Sequence, residues 1–153
     1  VLIENGKKTG YNTDAFGFEK TLKIHRKPHQ NTALILGNGG AAKAVEFVLN
    51  KNGISSKTVS RNSDLNFENL DKETVENHKI IVQCTPVGTF PNIDDCLNFP
   101  FGGLSKDHLV IDLIYNPNYS KFIIQSAEND AKTVNGYYML EQQAEKAWQI
   151  WNS

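Results

Sequence analysis

Apolar residues along this chain fall into short continuous runs, and stretches with helical spacing separate the runs. Several runs are followed by a glycine or proline turn, which is typical of strands buried on both faces. The pattern predicts five strands: Thr32–Leu36, Lys57–Ser60, Lys79–Cys84, Leu109–Tyr115 and the short segment "KTV" at Lys132–Val134.

The segments between these runs are predicted to be helices. One helix starts near Asp14 and ends before Pro28, and another covers Gly39–Lys51 and closes at Asn52-Gly53. Two more are predicted in "NYSKFIIQSAEND" and "GYYMLEQQAEKAWQIW". Buried strands that alternate with helices indicate an α/β fold, a Rossmann-like doubly wound parallel sheet with helices on both faces.

A short hairpin is predicted ahead of this sheet. Val1–Ile3 and Lys8–Tyr11 have strand character on either side of an Asn5-Gly6 turn. The chain begins without a methionine, and its first residues are typical of the middle of a sequence. We therefore expect a fragment of a longer protein.

Composition and charge argue against several functional classes. The formal net charge is −1, with both signs scattered, whereas nucleic-acid binding needs a clustered basic excess. No apolar run approaches the roughly 20 residues of a membrane-spanning helix. Cys84 and Cys96 lack a CxxC partner, which favours reduced thiols in a soluble, cytoplasmic protein. His25 and His29 flank Pro28, which breaks the helix that would align them, so no metal site is predicted.

A glycine cluster lies where the first long strand is predicted to give way to a helix. Gly37, Gly39 and Ala42 match the spacing G-x-G-x-x-A of dinucleotide-binding loops. At a helix N-terminus, free N–H groups and the helix dipole favour a phosphate. The alternative is a flexible strand-to-helix turn without a ligand.

The end of the next predicted strand indicates which dinucleotide would bind. NAD-binding units usually place an acidic residue there to hold the ribose hydroxyls, whereas this chain has Arg61 beside Ser60, Asn62 and Ser63. A guanidinium suits the charge of a 2′-phosphate. The position therefore favours NADP, and the alternative is a solvated surface arginine.

Several ordered motifs together resemble the NADP-binding half of shikimate dehydrogenases. The resemblance spans nearly the whole chain, and its first and last motifs are far more specific than the glycine loop. The motifs are "GYNTDAFGF" (Gly10–Phe18), "GNGGAAKAV" (Gly37–Val45), "SRN" (Ser60–Asn62), "CTPVG" (Cys84–Gly88), "DLIYNP" (Asp112–Pro117) and "NGYYMLEQQA" (Asn135–Ala144).

The resemblance implies reversible hydride transfer between NADPH and 3-dehydroshikimate, with Asp14 as one of two catalytic groups and a ligand of the substrate hydroxyl. Tyr115 and Gln143 would also face the shikimate or 3-dehydroshikimate substrate. From sequence alone, Asp14 could cap a helix, a role compatible with the catalytic one, whereas Tyr115 could be a core aromatic and Gln143 a solvated residue. The implied cofactor-binding residues are Gly37, Asn38, Gly39, Gly40, Ala41, Ser60, Arg61, Asn62, Thr85, Pro86, Leu113, Gly136 and Met139. Thr85 and Pro86 could equally be an ordinary strand-end turn.

The chain departs from the family pattern in three ways. Ser60-Arg61-Asn62 replaces the usual Asn-Arg-Thr, which weakens the NADP preference, and Tyr138 occupies a glycine position where it could narrow the nicotinamide pocket. The resemblance implies a catalytic lysine in a preceding substrate domain, which we expect to lie outside this chain. We expect residues 1–14 to end that domain, 15–135 to form the NADP-binding domain and 136–153 to form a helix returning to the cleft.

Two other functions stay open at this point. The chain could come from a quinate-type polyol dehydrogenase, or it could be a nucleotide-binding module without catalysis. The expected partners are a small-molecule substrate and the missing substrate domain, with a homodimer left open and neither nucleic acid nor membrane expected.

Overall fold

The computed structural model describes residues 2–4 and 6–152. Strand β1 (Leu2–Glu4) pairs antiparallel with β2 (Lys7–Thr9), and Ile3 lies opposite Lys8. The predicted hairpin is therefore confirmed, although its second strand ends two residues earlier than predicted. Val1 and Asn5 lie outside the described residues, and Gly6 adopts a φ of +78° in the turn.

A five-stranded parallel sheet forms the centre of the domain. Its strand order is β4-β3-β5-β6-β7. The elements after the hairpin are α1 (Thr13–His25), β3 (Thr32–Leu36), α2 (Gly40–Lys51), β4 (Ser55–Val59), α3 (Lys72–Asn77), β5 (Ile80–Gln83), a 3₁₀ turn (Phe101–Gly103), β6 (Leu109–Asp112), α4 (Lys121–Glu128), β7 (Lys132–Val134) and α5 (Tyr137–Trp151). The predicted doubly wound parallel sheet is confirmed, while α3 and the 3₁₀ turn were not predicted.

Successive residues of each central strand enter opposite cores, which explains the continuous apolar runs. In β3, Ile35 belongs to a core that includes Phe18 of α1 and Val45 of α2. Its neighbour Leu36 belongs to a second core with Phe122 of α4. Helices α1, α2 and α5 therefore cover one face of the sheet, and α3, α4 and the 3₁₀ turn cover the other.

Strand β6 is shorter than its apolar run predicts. The run continues to Tyr115, but the strand ends at Asp112, whose side-chain Oδ1 accepts a hydrogen bond from Ile114 N–H at 3.0 Å. This bond turns the backbone out of the sheet. Leu113–Tyr115 thus form a loop at the carboxyl edge of the sheet.

Within the described residues, no helix has the length and apolar character to cross a membrane. The same part of the chain contains no group of three or more His, Cys, Asp or Glu side chains that could hold a metal ion. Cys84 and Cys96 are both free thiols.

A buried histidine, His108, precedes β6. Its Nδ1 accepts a hydrogen bond from Ser105 N–H at 3.1 Å, and its Nε2 donates to Val75 O at 2.9 Å. Both ring nitrogens are thus used in the neutral form, and burial lowers the pKa of His108.

We expect this histidine to make folding sensitive to acid. The unfolded chain protonates His108 at a pKa near 6.5, whereas the folded chain resists protonation, so stability should fall as the pH drops below that value. His108→Gln does not titrate and should lose less free energy of unfolding between about pH 7 and about pH 5. Urea denaturation of both proteins measures the difference, and equal losses would contradict the prediction.

Candidate functional site

The turn after β3 brings backbone close to the neighbouring strand. Gly37 has a φ of +112°, and its N–H donates to Val59 O at 2.8 Å. A Cβ at this position would lie 3.1 Å from Thr85 Cγ2. Glycine is therefore required here both by the backbone conformation and by the proximity of the loop after β5.

Helix α2 begins directly after this turn and has no side-chain cap. Its N-cap is Gly39, and no protein atom lies within 4 Å of a Cβ built at Gly39 or Gly40. The helix therefore begins with open space beside both glycines. Such an end can donate hydrogen bonds to an anion.

A cleft of about 540 Å³, which we call the first cleft, opens at the carboxyl ends of β3, β4 and β5. It is lined by Gly37, Asn38, Gly39, Ser60, Arg61, Phe67, Cys84, Thr85, Pro86, Val87 and Leu97. Seven of these residues were predicted, namely Gly37, Asn38, Gly39, Ser60, Arg61, Thr85 and Pro86. The predicted Gly40, Ala41 and Asn62 do not line the cleft.

Arg61 lies exposed on the wall of the first cleft. Its side chain has no hydrogen bond or ion pair with any described residue. The preceding Ser60 is buried, and its Oγ lies 2.5 Å from Ser63 Oγ, so this pair holds the turn that carries Arg61. The guanidinium is therefore available to a ligand, while the Ser60 hydroxyl is already engaged.

A second cleft of about 400 Å³ lies beside the first and shares three lining residues with it. It is lined by Cys84, Thr85, Pro86, Thr89, Phe90, Leu113, Ile114, Tyr115 and Asn116. Cys84–Pro86 form a wall common to both clefts, and Leu113–Asn116 belong to the second cleft alone. Tyr115 is 48% exposed, so it is not a core aromatic.

Asp14 and Gln143, predicted from opposite ends of the chain, are in direct contact. Gln143 Nε2 donates to Asp14 Oδ1 at 2.6 Å across the contact between α1 and α5. The capping alternative for Asp14 is wrong, since Asn12 Oδ1 caps α1 by accepting from Ala15 N–H. Gln143 is half-buried and therefore not a fully solvated residue. Neither Asp14 nor Gln143 lines the two clefts.

Helix α5 starts in tight contact with the loop after β6. A Cβ at Gly136 would overlap Leu113 O, and Gly136 N–H donates to Ile114 O at 2.9 Å. Met139 packs in the core with Phe18 and lines neither cleft. Tyr138 is half-buried in the first turn of α5 and does not line them either.

Two buried polar residues of the site were not predicted. Gln83 ends β5 and Asp112 ends β6, and both side chains are fully buried. Burial raises the pKa of Asp112 to about 6, although hydrogen bonds from Ser120 and Ile114 oppose the shift. A polar residue at the end of a buried apolar run is the sequence signal that could have identified both.

The sheet, the uncapped helix and the adjacent clefts define a Rossmann-like α/β domain of the nucleotide-binding type. No protein-family model matches the chain. A curated shikimate dehydrogenase (NADP+) from Methanococcus maripaludis is 38% identical over 169 residues, covering 99% of this chain and 60% of the relative. A solved shikimate dehydrogenase in complex with NADP+ has a TM-score of 0.83 at 30% identity, with 97% of this chain and 58% of that chain covered.

The chain is similar to shikimate dehydrogenases over its own length, and it spans about 60% of the length of the curated relative it matches. A quinate dehydrogenase from Corynebacterium glutamicum in complex with NAD also has a TM-score of 0.82, with 95% of this chain and 58% of that chain covered. Its identity is 21%, so this likeness shows the shared fold alone.

Because a Cβ has space at Gly40 but not at Gly136, replacement of each glycine by alanine should change the free energy of unfolding by different amounts. Gly136→Ala would press a methyl group into Leu113 O and should lower the free energy of unfolding by about 1–3 kcal/mol or more. Gly40→Ala meets no atom within 4 Å and adds a helix-favouring residue, so it should not destabilise the chain. Urea denaturation compares them, and a similar loss in both variants would contradict the prediction.

Proposed function

We propose that this chain is the NADP-binding part of a shikimate dehydrogenase, which reversibly reduces 3-dehydroshikimate to shikimate with NADPH. One observation carries the proposal: two adjacent clefts lie along the carboxyl ends of the strands, beside an uncapped helix N-terminus, with the unpaired Arg61 in the lining of the first. Ligands of doubly wound folds bind at this edge, where the connections of neighbouring strands diverge.

The phosphate end of the cofactor would occupy the first cleft. The free space at Gly39 and Gly40 lets a pyrophosphate reach the N–H groups of α2. Arg61 would then pair with the 2′-phosphate. The nearest acidic residue in this loop, Asp64, does not line the cleft, so it is not placed to hold ribose hydroxyls in the way NAD-binding units do.

The nicotinamide end would occupy the second cleft, between the wall at Thr85-Pro86 and the loop at Leu113. When bound, NADPH supplies the hydride for the carbonyl carbon of the substrate. The half-exposed Tyr115 would face the substrate from the same loop. These residues bind and orient the reactants.

Asp14 would serve the proton-transfer side of the reaction. Carbonyl reduction leaves an oxygen that must gain a proton, and a positioned acid or base accelerates such a step about 10²–10⁴-fold. Gln143 fixes the orientation of the Asp14 carboxyl by donating to Oδ1, and Oδ2 has no partner among the described residues. That oxygen is available to the substrate hydroxyl.

The rest of the reaction would need residues outside this chain. We assign the catalytic lysine and most substrate contacts to the part of the relatives that this chain does not cover, on the basis of the family resemblance. This chain alone should then bind NADP without reducing 3-dehydroshikimate, because the orientation of two reactants can account for about 7–11 kcal/mol of a barrier.

Cofactor preference tests the assignment of Arg61. The chain should bind NADPH roughly ten- to a hundred-fold more tightly than NADH, because only NADPH offers the guanidinium a charged partner. Arg61→Ala should lose this preference and leave NADH affinity nearly unchanged. Calorimetric titration of both proteins with both cofactors measures it.

Gly39→Val is the matched control for that titration. Its side chain would fill the open space before α2, so it should abolish binding of both cofactors without unfolding the chain. Equal NADPH and NADH affinity in the parent would contradict the role of Arg61. Parent-like cofactor binding by folded Gly39→Val would overturn the phosphate site.

The role of Asp14 is tested in this chain joined to the remaining part of a shikimate dehydrogenase. Asp14→Asn keeps an oxygen for Gln143 but cannot exchange a proton, so kcat should fall about 10²–10⁴-fold while NADPH binding stays unchanged. NADPH absorbance follows turnover of 3-dehydroshikimate.

The control for this variant is Asn12→Ala, which removes the α1 cap and should cost about 1 kcal/mol of stability but leave kcat intact. Full activity in Asp14→Asn would contradict a catalytic role for this carboxyl. Turnover of quinate in place of shikimate by the joined protein would favour the quinate-type alternative, and turnover by this chain alone would show that the catalytic groups are misassigned.

A further inference from the structure

The two buried polar residues at the ends of β5 and β6 share one geometry. Gln83 and Asp112 are register partners in the parallel sheet, and both are fully buried. Each accepts a hydrogen bond from the backbone N–H two residues later, Thr85 N–H at 2.5 Å and Ile114 N–H at 3.0 Å. We propose that Gln83 and Asp112 are positioning residues that fix the walls of the cofactor clefts, an inference that rests on the proposed NADP function.

Gln83 holds the wall that both clefts share. Its Oε1 accepts from Thr85 N–H, while its Nε2 donates to Val87 O at 3.2 Å. The side-chain amide thus forms hydrogen bonds with both ends of a three-residue turn that has Pro86 at its centre. These two bonds need an acceptor and a donor on one side chain, a combination that a carboxylate or an apolar residue cannot supply.

Asp112 holds the wall that belongs to the second cleft alone. Its Oδ1 accepts from Ile114 N–H, and its Oδ2 accepts from Ser120 Oγ at 2.5 Å. Ser120 Oγ in turn caps α4 by accepting from Ile123 N–H at 3.2 Å. One carboxylate therefore anchors both ends of the loop that carries Leu113 and Tyr115.

Further hydrogen bonds couple the two walls to each other. Phe90 N–H and Thr89 Oγ1 both donate to Asn116 O, at 3.0 and 3.2 Å. Leu113 N–H donates to Gln83 O at 3.0 Å, directly beside the two buried side chains. The width of the second cleft is consequently set by a connected network rather than by two independent loops.

The Asp112 carboxylate is unfavourable for folding at neutral pH. Burial raises its pKa to about 6, so its contribution to stability is lost as the pH rises through that value. The titratable groups around it are the Cys84 and Cys96 thiols, whose pKa values its charge helps to raise, and Lys121, which acts on Cys96 and pairs with Asp94 at 3.1 Å. A residue that costs stability but orders the cleft fits a positioning role.

Two ligands distinguish the effect of the wall that both clefts share from the effect of the wall that belongs to the second cleft alone. NADP+ spans both clefts in the proposed mode, whereas adenosine 2′,5′-bisphosphate lacks the nicotinamide half and fills only the first. Asp112→Leu should weaken NADP+ about tenfold and leave adenosine 2′,5′-bisphosphate within about twofold. Gln83→Met should weaken both ligands about tenfold, because its wall belongs to both clefts. Calorimetric titration of the full 153-residue chain measures each dissociation constant.

Conservative variants distinguish positioning from a general loss of stability. Asp112→Asn can still accept from Ile114 N–H and should retain NADP+ affinity within about twofold. Gln83→Glu should regain NADP+ affinity as the pH is lowered, since the protonated acid can donate to Val87 O, whereas Gln83→Met should show no such recovery. Ser126→Ala removes a buried hydroxyl within α4, away from the clefts, and should change neither ligand.

The outcomes are distinct. If the parent chain binds neither ligand, the proposed function is overturned, and the positioning role that rests on it is overturned too. If the parent binds both, then equal weakening of the two ligands by Asp112→Leu, or unchanged affinities in both Asp112→Leu and Gln83→Met, overturns the positioning role alone. If Asp112→Leu does not fold, Ser120→Ala breaks the same anchor from the other side. It should weaken NADP+ selectively, and unchanged NADP+ affinity in that variant overturns the role of Asp112.

Discussion

The site depends on the parallel pairing of β3 with β4 on one side and with β5 on the other. Parallel pairing brings the carboxyl ends of all three strands to one edge, where the connections of β3 and β5 diverge over opposite faces. The backbone bonds continue past the strand ends, because Gly37 N–H donates to Val59 O and Cys84 N–H donates to Leu36 O. Three turns are thereby held within contact of one another, and glycine at position 37 is what lets them approach.

The carboxyl ends of the strands differ because the backbone N–H groups in the segments that follow them are bonded differently. After β3, glycines leave the start of α2 open and without a side-chain cap. After β5 and β6 the backbone N–H groups lie inside the protein and need partners, which the side chains of Gln83 and Asp112 provide. One edge of a single sheet therefore contains both an open helix N-terminus and two ordered walls.

The strands and main helices could be predicted because the spacing of their apolar residues indicates directly which side chains are buried. The prediction of Leu109–Tyr115 as one strand was wrong, and the capping alternative for Asp14 does not hold, both for local reasons. A buried carboxylate ended the strand early, and Asn12 was better placed to accept from Ala15 N–H. Helix α3 is only six residues long with a single buried residue, so it leaves no periodic signal. The contact between Asp14 and Gln143 could not follow from any local pattern, since it depends on how α1 and α5 pack.

That packing links the chemistry of the two helices to the clefts on the sheet. A Cβ at Gly17 would lie 2.6 Å from Met139 O, so the absence of a side chain on α1 allows α5 to approach and brings Gln143 to Asp14. At its N-terminus α5 is fixed by the contact of Gly136 with Leu113 O, in the wall of the second cleft. Seven residues of helix span about 10 Å between Gly136 and Gln143. The same helix therefore contacts the Leu113 wall through Gly136 and holds Gln143 against Asp14. The wall of the second cleft and the proposed proton-transfer group are positioned relative to each other by these two contacts of α5, one at its N-cap Gly136 and one with Gly17 of α1.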